Sequence, residues 1–122
     1  MPVETLDRIL GVEPGVRASA LRNVPNTLQV LDTHFPRFPV LPGVLILDSL
    51  AELSALAAGD GAWRLAGVER VRFRHYVRPG DQMELAVEVT RRDPARLALS
   101  GSVRVDGRVV ASVRELRLRA AS

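Results

Sequence analysis

The stretch from Gly43 to Ala58 limits the possible folds more than any other part of this chain. It follows Pro42, is rich in good helix formers and stops at Gly59-Asp60-Gly61, a strong terminator, so the spacing predicts one helix over 43–58. Val44, Leu45, Ile46, Leu47, Leu50, Ala51, Leu53, Leu56 and Ala57 cover most of its circumference. A surface helix carries one apolar stripe, whereas a helix that is apolar nearly all round has to be buried. The rest of the chain must therefore supply a wrapping.

That wrapping is legible downstream. Met83, Leu85, Val87 and Val89 alternate with Glu84, Ala86, Glu88 and Thr90, the period of two expected of a strand with one covered face. Val71, Phe73, His75 and Val77 alternate with Arg70, Arg72, Arg74, Tyr76 and Arg78, which predicts a second strand over 70–78, apolar on one face and basic on the other. Pro79-Gly80-Asp81 is then the turn that joins the two. Leu97, Leu99, Val103 and Val105 continue the scheme, Asp106-Gly107 is a two-residue hairpin signal, and 108–118 returns as the last strand. Two weaker strands, at about 6–12 and 16–24, flank a Pro14-Gly15 turn. The sum is an α+β domain, an antiparallel sheet of about six strands curled round one central helix. No linker, repeat or low-complexity segment divides it, so residues 1–122 are expected to form a single domain. A sheet of this size covers one side of the helix better than the other, and a second copy is the simplest cover for the rest.

Composition excludes several function classes. There is no cysteine, which removes disulfides, cysteine-zinc sites and a thiol nucleophile together. All 17 basic residues are arginines, set against 14 acids, and they are scattered from Arg8 to Arg119 instead of clustering as a nucleic-acid footprint does. The net charge of +3 suits an acidic partner through electrostatic steering. The N-terminus lacks a basic region followed by a cleavable apolar run, and the longest apolar stretch is broken by Asp48 and Glu52, so no membrane contact and a cytoplasmic location are expected. His34 and His75 with scattered acids form no metal-ligand motif, and no Gly-rich phosphate loop precedes a helix; no metal or redox cofactor is expected.

Candidate chemistry gathers before and within the helix. His34 opens the proline-rich run His34-Phe-Pro-Arg-Phe-Pro-Val-Leu-Pro-Gly43. A neutral imidazole is available near neutral pH as a base, and a tight loop can fix its tautomer through a backbone carbonyl; the plain alternative is a satisfied loop or core histidine. Asp48 lies in an otherwise apolar helix, where desolvation favours the neutral carboxyl, a proton donor. The alternative is an anion favoured near a helix N-terminus, or a polar stripe shared with Glu52 one turn on. Gly43 falls where the first free amides of the helix point outward, and these can polarise a carbonyl oxygen, or Gly43 merely starts the helix. Two carboxyls one turn apart repel if both ionise, unless an arginine intervenes between Asp48 and Glu52. The rise from Gly43 to Asp48 is roughly 7.5 Å along a helix axis, so closeness in sequence does not bring His34 and Asp48 together in one chain.

The run His34-Phe-Pro-x-x-Pro-Val-x-Pro-Gly43-Val-Leu-Ile-Leu-Asp48 resembles the signature of the hot-dog-fold 3-hydroxyacyl-[acyl carrier protein] dehydratases of fatty-acid and polyketide synthesis. Phe73-Arg74 and Pro79-Gly80-Asp81-Gln82 resemble the strand and turn that follow the helix in that family, and the resemblance extends from Asp7 to about Arg119. It implies two subunits with joined sheets, either a homodimer or a heterodimer with a related subunit, and sites that take the histidine from one chain and the acid from the other. It also implies a substrate carried on the phosphopantetheine of acyl carrier protein. His34 is then the base for the C2 proton, with its tautomer held by the Val40 carbonyl. Asp48 protonates the leaving hydroxyl, and the Gly43 amide holds the thioester oxygen. Two positions depart from the family pattern: Arg37 stands where glycine commonly follows His-Phe-Pro, and Glu52 where glutamine is common. Arg37 either lines the tunnel mouth and meets a phosphate or is solvated.

The expected activity is dehydration of a 3-hydroxyacyl thioester to the trans-2-enoyl thioester. A hot-dog thioesterase that releases free acid, or a heterodimer subunit with little activity alone, are the alternatives, and isomerisation of the enoyl product is open to the same base. The basic face over 70–78 is a solvated face or a docking surface for an acidic carrier. His75 and Trp63 are expected to pack and to take no part in chemistry.

Overall fold

The computed structural model describes residues 5–25, 41–59 and 61–121. The elements along the chain are β1 (Arg8–Glu13), β2 (Arg17–Asn23), α1 (Gly43–Ala58), β3 (Trp63–Phe73), β4 (Gln82–Arg92), β5 (Arg96–Val105) and β6 (Arg108–Ala120). The helix begins and ends where Pro42 and Gly59 predict. Gly59 takes a left-handed φ of 87°, its amide donating to the Leu56 carbonyl, and the Gly15 amide caps the Ala57 carbonyl at 2.7 Å. The β1–β2 turn thus closes the C-terminal end of α1.

The six strands form one antiparallel sheet in the order β1-β2-β4-β5-β6-β3. Ile46, Leu50, Leu53 and Ala57 of α1 are buried in one core with Met83, Leu85, Leu99, Val103 and Leu116 of the sheet. Gly101 is the point of closest approach. A methyl group there would stand 3.0 Å from Leu116 Cδ1 and 3.4 Å from Leu50 Cδ2, so the missing side chain in β5 is what lets the helix settle on the sheet. The β5–β6 connection is the two-residue hairpin that Asp106-Gly107 predicts, with φ of 52° and 78° at the two positions.

Two expectations fail downstream of the helix. The strand expected over 70–78 is β3, Trp63–Phe73. It starts earlier, because Trp63 to Phe73 ladder against Ala120 to Ala111 of β6, and it stops at Phe73, because the Arg74 and His75 amides both turn to the Val110 carbonyl. His75 lies past that end and is exposed, not packed; Trp63 is partly buried and packs against the core. Pro79-Gly80-Asp81 does not join adjacent strands either, since β3 lies at the sheet edge beside β6 while β4 lies between β2 and β5. The turn is instead fastened to the end of β2. The Gly80 amide donates to the Val24 carbonyl at 2.8 Å, and the Val24 amide to the Asp81 carbonyl at 2.9 Å.

One sheet face covers one side of the helix, as the chain length predicts. Val44 remains 63% exposed and Leu56 41%, and Phe73 at the β3 edge is 51% exposed. Among the described residues, no helix is long and apolar enough to cross a membrane.

Candidate active site

The site is organised round the N-terminal end of α1. Leu41 enters it with its amide on the Val77 carbonyl at 2.7 Å, and Leu45 closes the first turn onto the Pro42 carbonyl at 3.0 Å. No side chain caps this end, and no acidic residue occupies the first turn. Among the described residues, the Gly43 and Val44 amides meet no acceptor. Such an end is a site of positive partial charge with N–H groups directed outward. A Cβ at Gly43 would lie 2.6 Å from Cζ of Phe73, whose ring covers the start of the helix and would have to shift to admit it. Phe73, Arg74, Tyr76, Arg78, Asp81 and Arg108 line an open cleft on that side.

His34, Arg37 and Val40 lie outside the described residues. The residues that bracket their segment are both tied to one short stretch, Val24 to Gly80 and Asp81, and Leu41 to Val77. The stretch from Val77 to Asp81 therefore anchors both ends of the segment that carries His34.

Asp48 departs from expectation. It is exposed and has no hydrogen-bond partner among the described residues, which do not supply the apolar enclosure expected round it. The reason is helical phase. Ile46 and Leu50 face the sheet, and Asp48, two residues from each, projects to the opposite side, as does the exposed Val44 one turn before it.

Glu52 takes a different direction. Its carboxylate accepts hydrogen bonds from the Thr5 amide (3.0 Å to Oε1), the Leu6 amide (3.2 Å) and Thr5 Oγ1 (3.2 Å), which staples the N-terminal segment onto the helix. Ser49 Oγ donates to Thr5 Oγ1 at 2.9 Å, and Arg22 of β2 donates from Nη1 to Ser49 Oγ (2.7 Å) and to the Leu45 carbonyl (3.1 Å). Burial pushes the Arg22 guanidinium below the ordinary arginine value, while Asp7, Glu52 and Asp48 pull it the other way. Arg22 is therefore the arginine whose charge acts on both carboxyls, though from beyond ion-pair distance. Sequence reasoning passed over it because it occupies an ordinary position in a weakly patterned strand; its one signal is a charge at an inward position between Ala20 and Val24.

Comparison with known proteins agrees with this geometry. The ApeI-like family, described as ApeI dehydratase, matches residues 13–114. The 3-hydroxyacyl-[acyl-carrier-protein] dehydratase FabZ of Anaeromyxobacter sp. (strain K) is 42% identical over 119 residues, covering 90% of this chain and 76% of the relative. FabZ of Bacillus subtilis (strain 168) is 40% identical over 118 residues, 92% of this chain and 84% of the relative. Among solved structures, the dehydratase heterocomplex ApeI:P from Xenorhabdus doucetiae superposes with a TM-score of 0.80 at 16% identity, over 97% of this chain and 83% of the other. The protein PH1136 from Pyrococcus horikoshii reaches a TM-score of 0.80 at 14% identity, over 100% and 95%. At such identities the structures speak for the fold, and the sequence relatives carry the family. By its fold and by its sequence, the chain belongs to the hot-dog-fold 3-hydroxyacyl-[acyl-carrier-protein] dehydratase family.

Proposed function

We infer that the chain is a 3-hydroxyacyl-[acyl carrier protein] dehydratase, which converts the 3-hydroxyacyl thioester to the trans-2-enoyl thioester and water. The observation that carries this reading is 42% identity to a FabZ dehydratase over 90% of the chain. His34 takes the C2 proton, the electron pair forms the C2–C3 double bond, and the C3–O bond breaks as Asp48 protonates the departing hydroxyl. The Gly43 amide at the uncapped start of α1 holds the thioester oxygen while charge develops on it; such a donor contributes ~3 kcal/mol in comparable sites. The Val40 carbonyl fixes the tautomer of His34. The step moves protons and no net electrons, so it calls on no redox group.

The acid and the base of one site come from two chains. The support for this is that Asp48, Val44 and Leu56 stand uncovered on the side of α1 away from the sheet. Among the described residues, the edge strand β3 is also paired only with β6. A second copy joined along β3 covers that side and supplies the enclosure that one chain leaves out. The acyl carrier protein, the acidic partner that a net charge of +3 favours, approaches over the arginines of the cleft beside Phe73.

The test is to incubate purified protein with a 3-hydroxyacyl carrier protein and follow the acyl group by mass. Loss of one water with the thioester intact is the expected result, and His34→Ala abolishes it. Release of free acid would indicate a thioesterase. Turnover that begins only when a related hot-dog protein is added would make the chain half of a heterodimer.

A further inference from the structure

Arg22 is the single buried cation among the described residues, at 9% exposure, and every other described arginine is exposed. Stripping water from a guanidinium is costly unless hydrogen bonds and opposite charges replace it. Here no described carboxylate comes within ion-pair distance; Asp7, Glu52 and Asp48 act on it from farther away. Its close partners are two groups of the helix, the Leu45 carbonyl and Ser49 Oγ. An apolar side chain of similar length would pack at this place without the desolvation cost, so stability alone does not account for an arginine here.

The two acceptors bracket Asp48, Leu45 three residues before it and Ser49 one after, and the Leu45 carbonyl also accepts from Ser49 Oγ at 3.3 Å. On the strand side, the next residue, Asn23, receives the Gln82 side chain on its Oδ1 and donates its amide to Asp7. Val24 follows, fastened to Gly80 and Asp81. One side chain thus ties β2 onto the helical turn that carries Asp48.

We propose that Arg22 is a positioning residue for the dehydration. Its guanidinium clamps the Asp48 turn of α1 to β2 and so sets where the Asp48 carboxyl stands. This rests on the reading of Asp48 as proton donor. Arg22 acts through that carboxyl and touches no substrate, so its removal lowers the rate of the chemical step and leaves substrate binding nearly unchanged. Both bonds leave one nitrogen, Nη1, so an ammonium group on a different stem replaces them in part.

The experiment measures kcat and KM for Arg22→Met and Arg22→Lys, each alone and in an Asp48→Asn background, with single-turnover conditions for the slow variants. Arg22→Met is expected to lower kcat about 10-fold with KM within about 2-fold, and Arg22→Lys to keep at least about a third of kcat. In the Asp48→Asn background neither change costs anything further, because the group they position is gone. Equal fold losses in both backgrounds, or a raised KM with kcat intact, would overturn the proposal. If Arg22→Met does not fold, Arg22→Gln is read by the same comparison. A slow Asp48→Asn enzyme beside full-rate Arg22 variants overturns this proposal alone; a full-rate Asp48→Asn enzyme overturns the donor assignment as well.

Discussion

Glu52 stands where the family commonly has glutamine, and its surroundings state what the carboxylate does. It accepts from two backbone amides, Thr5 and Leu6, and from the Thr5 hydroxyl, all between 3.0 and 3.2 Å. Hydrogen bonds to a charged acceptor contribute about 1.5–3 kcal/mol each when buried, and these are half-buried, which places them toward the lower end. Glu52→Gln keeps one carbonyl oxygen, enough for one of the two amides, and sets an NH2 group against the other, so it should cost about 1–2 kcal/mol. Glu52→Ala leaves all three half-buried donors to water, which recovers part of each bond, and should cost about 2–3 kcal/mol in total. Trp63, the only tryptophan, packs against the core and reports unfolding by its fluorescence. With a urea slope of about 2 kcal/mol per molar, the midpoint should fall by roughly 0.5–1 M for the glutamine variant and roughly 1–1.5 M for the alanine variant, at unchanged slope. Dehydratase rates in the absence of urea should stay within about 2-fold of wild type, because this carboxylate is spent on the N-terminal segment. A glutamine variant of undiminished stability that turns over more than about 10-fold slower would refute this account and move Glu52 into the chemistry.

Two further outcomes are expected. Ser54 Oγ is buried with no hydrogen-bond partner among the described residues, so Ser54→Ala should stabilise the chain by about 1 kcal/mol, raising Tm by ~4 °C in calorimetry; a lower Tm would show that the hydroxyl does have a partner. The hydrogen bond from Arg91, with a smaller contribution from Arg117, holds the Glu115 carboxyl below the usual glutamate range. The stabilisation it brings is therefore complete above the ordinary glutamate value and is lost as pH falls through the depressed folded value. Stability measured against pH should show a shallower acid limb in Arg91→Ala than in wild type, and identical limbs would count against the pairing.

Much of this architecture follows from local pattern. The bounds of α1 are written in Pro42 and Gly59, because a proline before a helix and a glycine able to take positive φ after it are local requirements that no packing needs to supply. The same holds for the Asp106-Gly107 hairpin and for the alternation that turns Met83, Leu85 and Val87 inward. Pattern misled where a strand's end depended on a partner. The alternation from Arg70 runs on through Val77, but the regular ladder with β6 stops at Phe73, and His75 falls outside it. Period-two alternation says which residues share a face, and it does not say which strand lies alongside.

The candidate site divides along the same line. That Gly43 opens a helix and that Asp48 lies within it were determined by the sequence alone, since both depend on helix boundaries. That Asp48 faces away from the sheet, that Glu52 is occupied by Thr5 and Leu6, and that a lone inward arginine on β2 reaches the Asp48 turn were decided only by the tertiary structure. Each of these depends on contacts between residues tens of positions apart, Thr5 with Glu52 and Arg22 with Ser49, whose distance in space no local periodicity encodes. Helix phase relative to the sheet is set by which apolar residues find the deepest packing, Leu50 over Gly101, and that choice turns the acid outward.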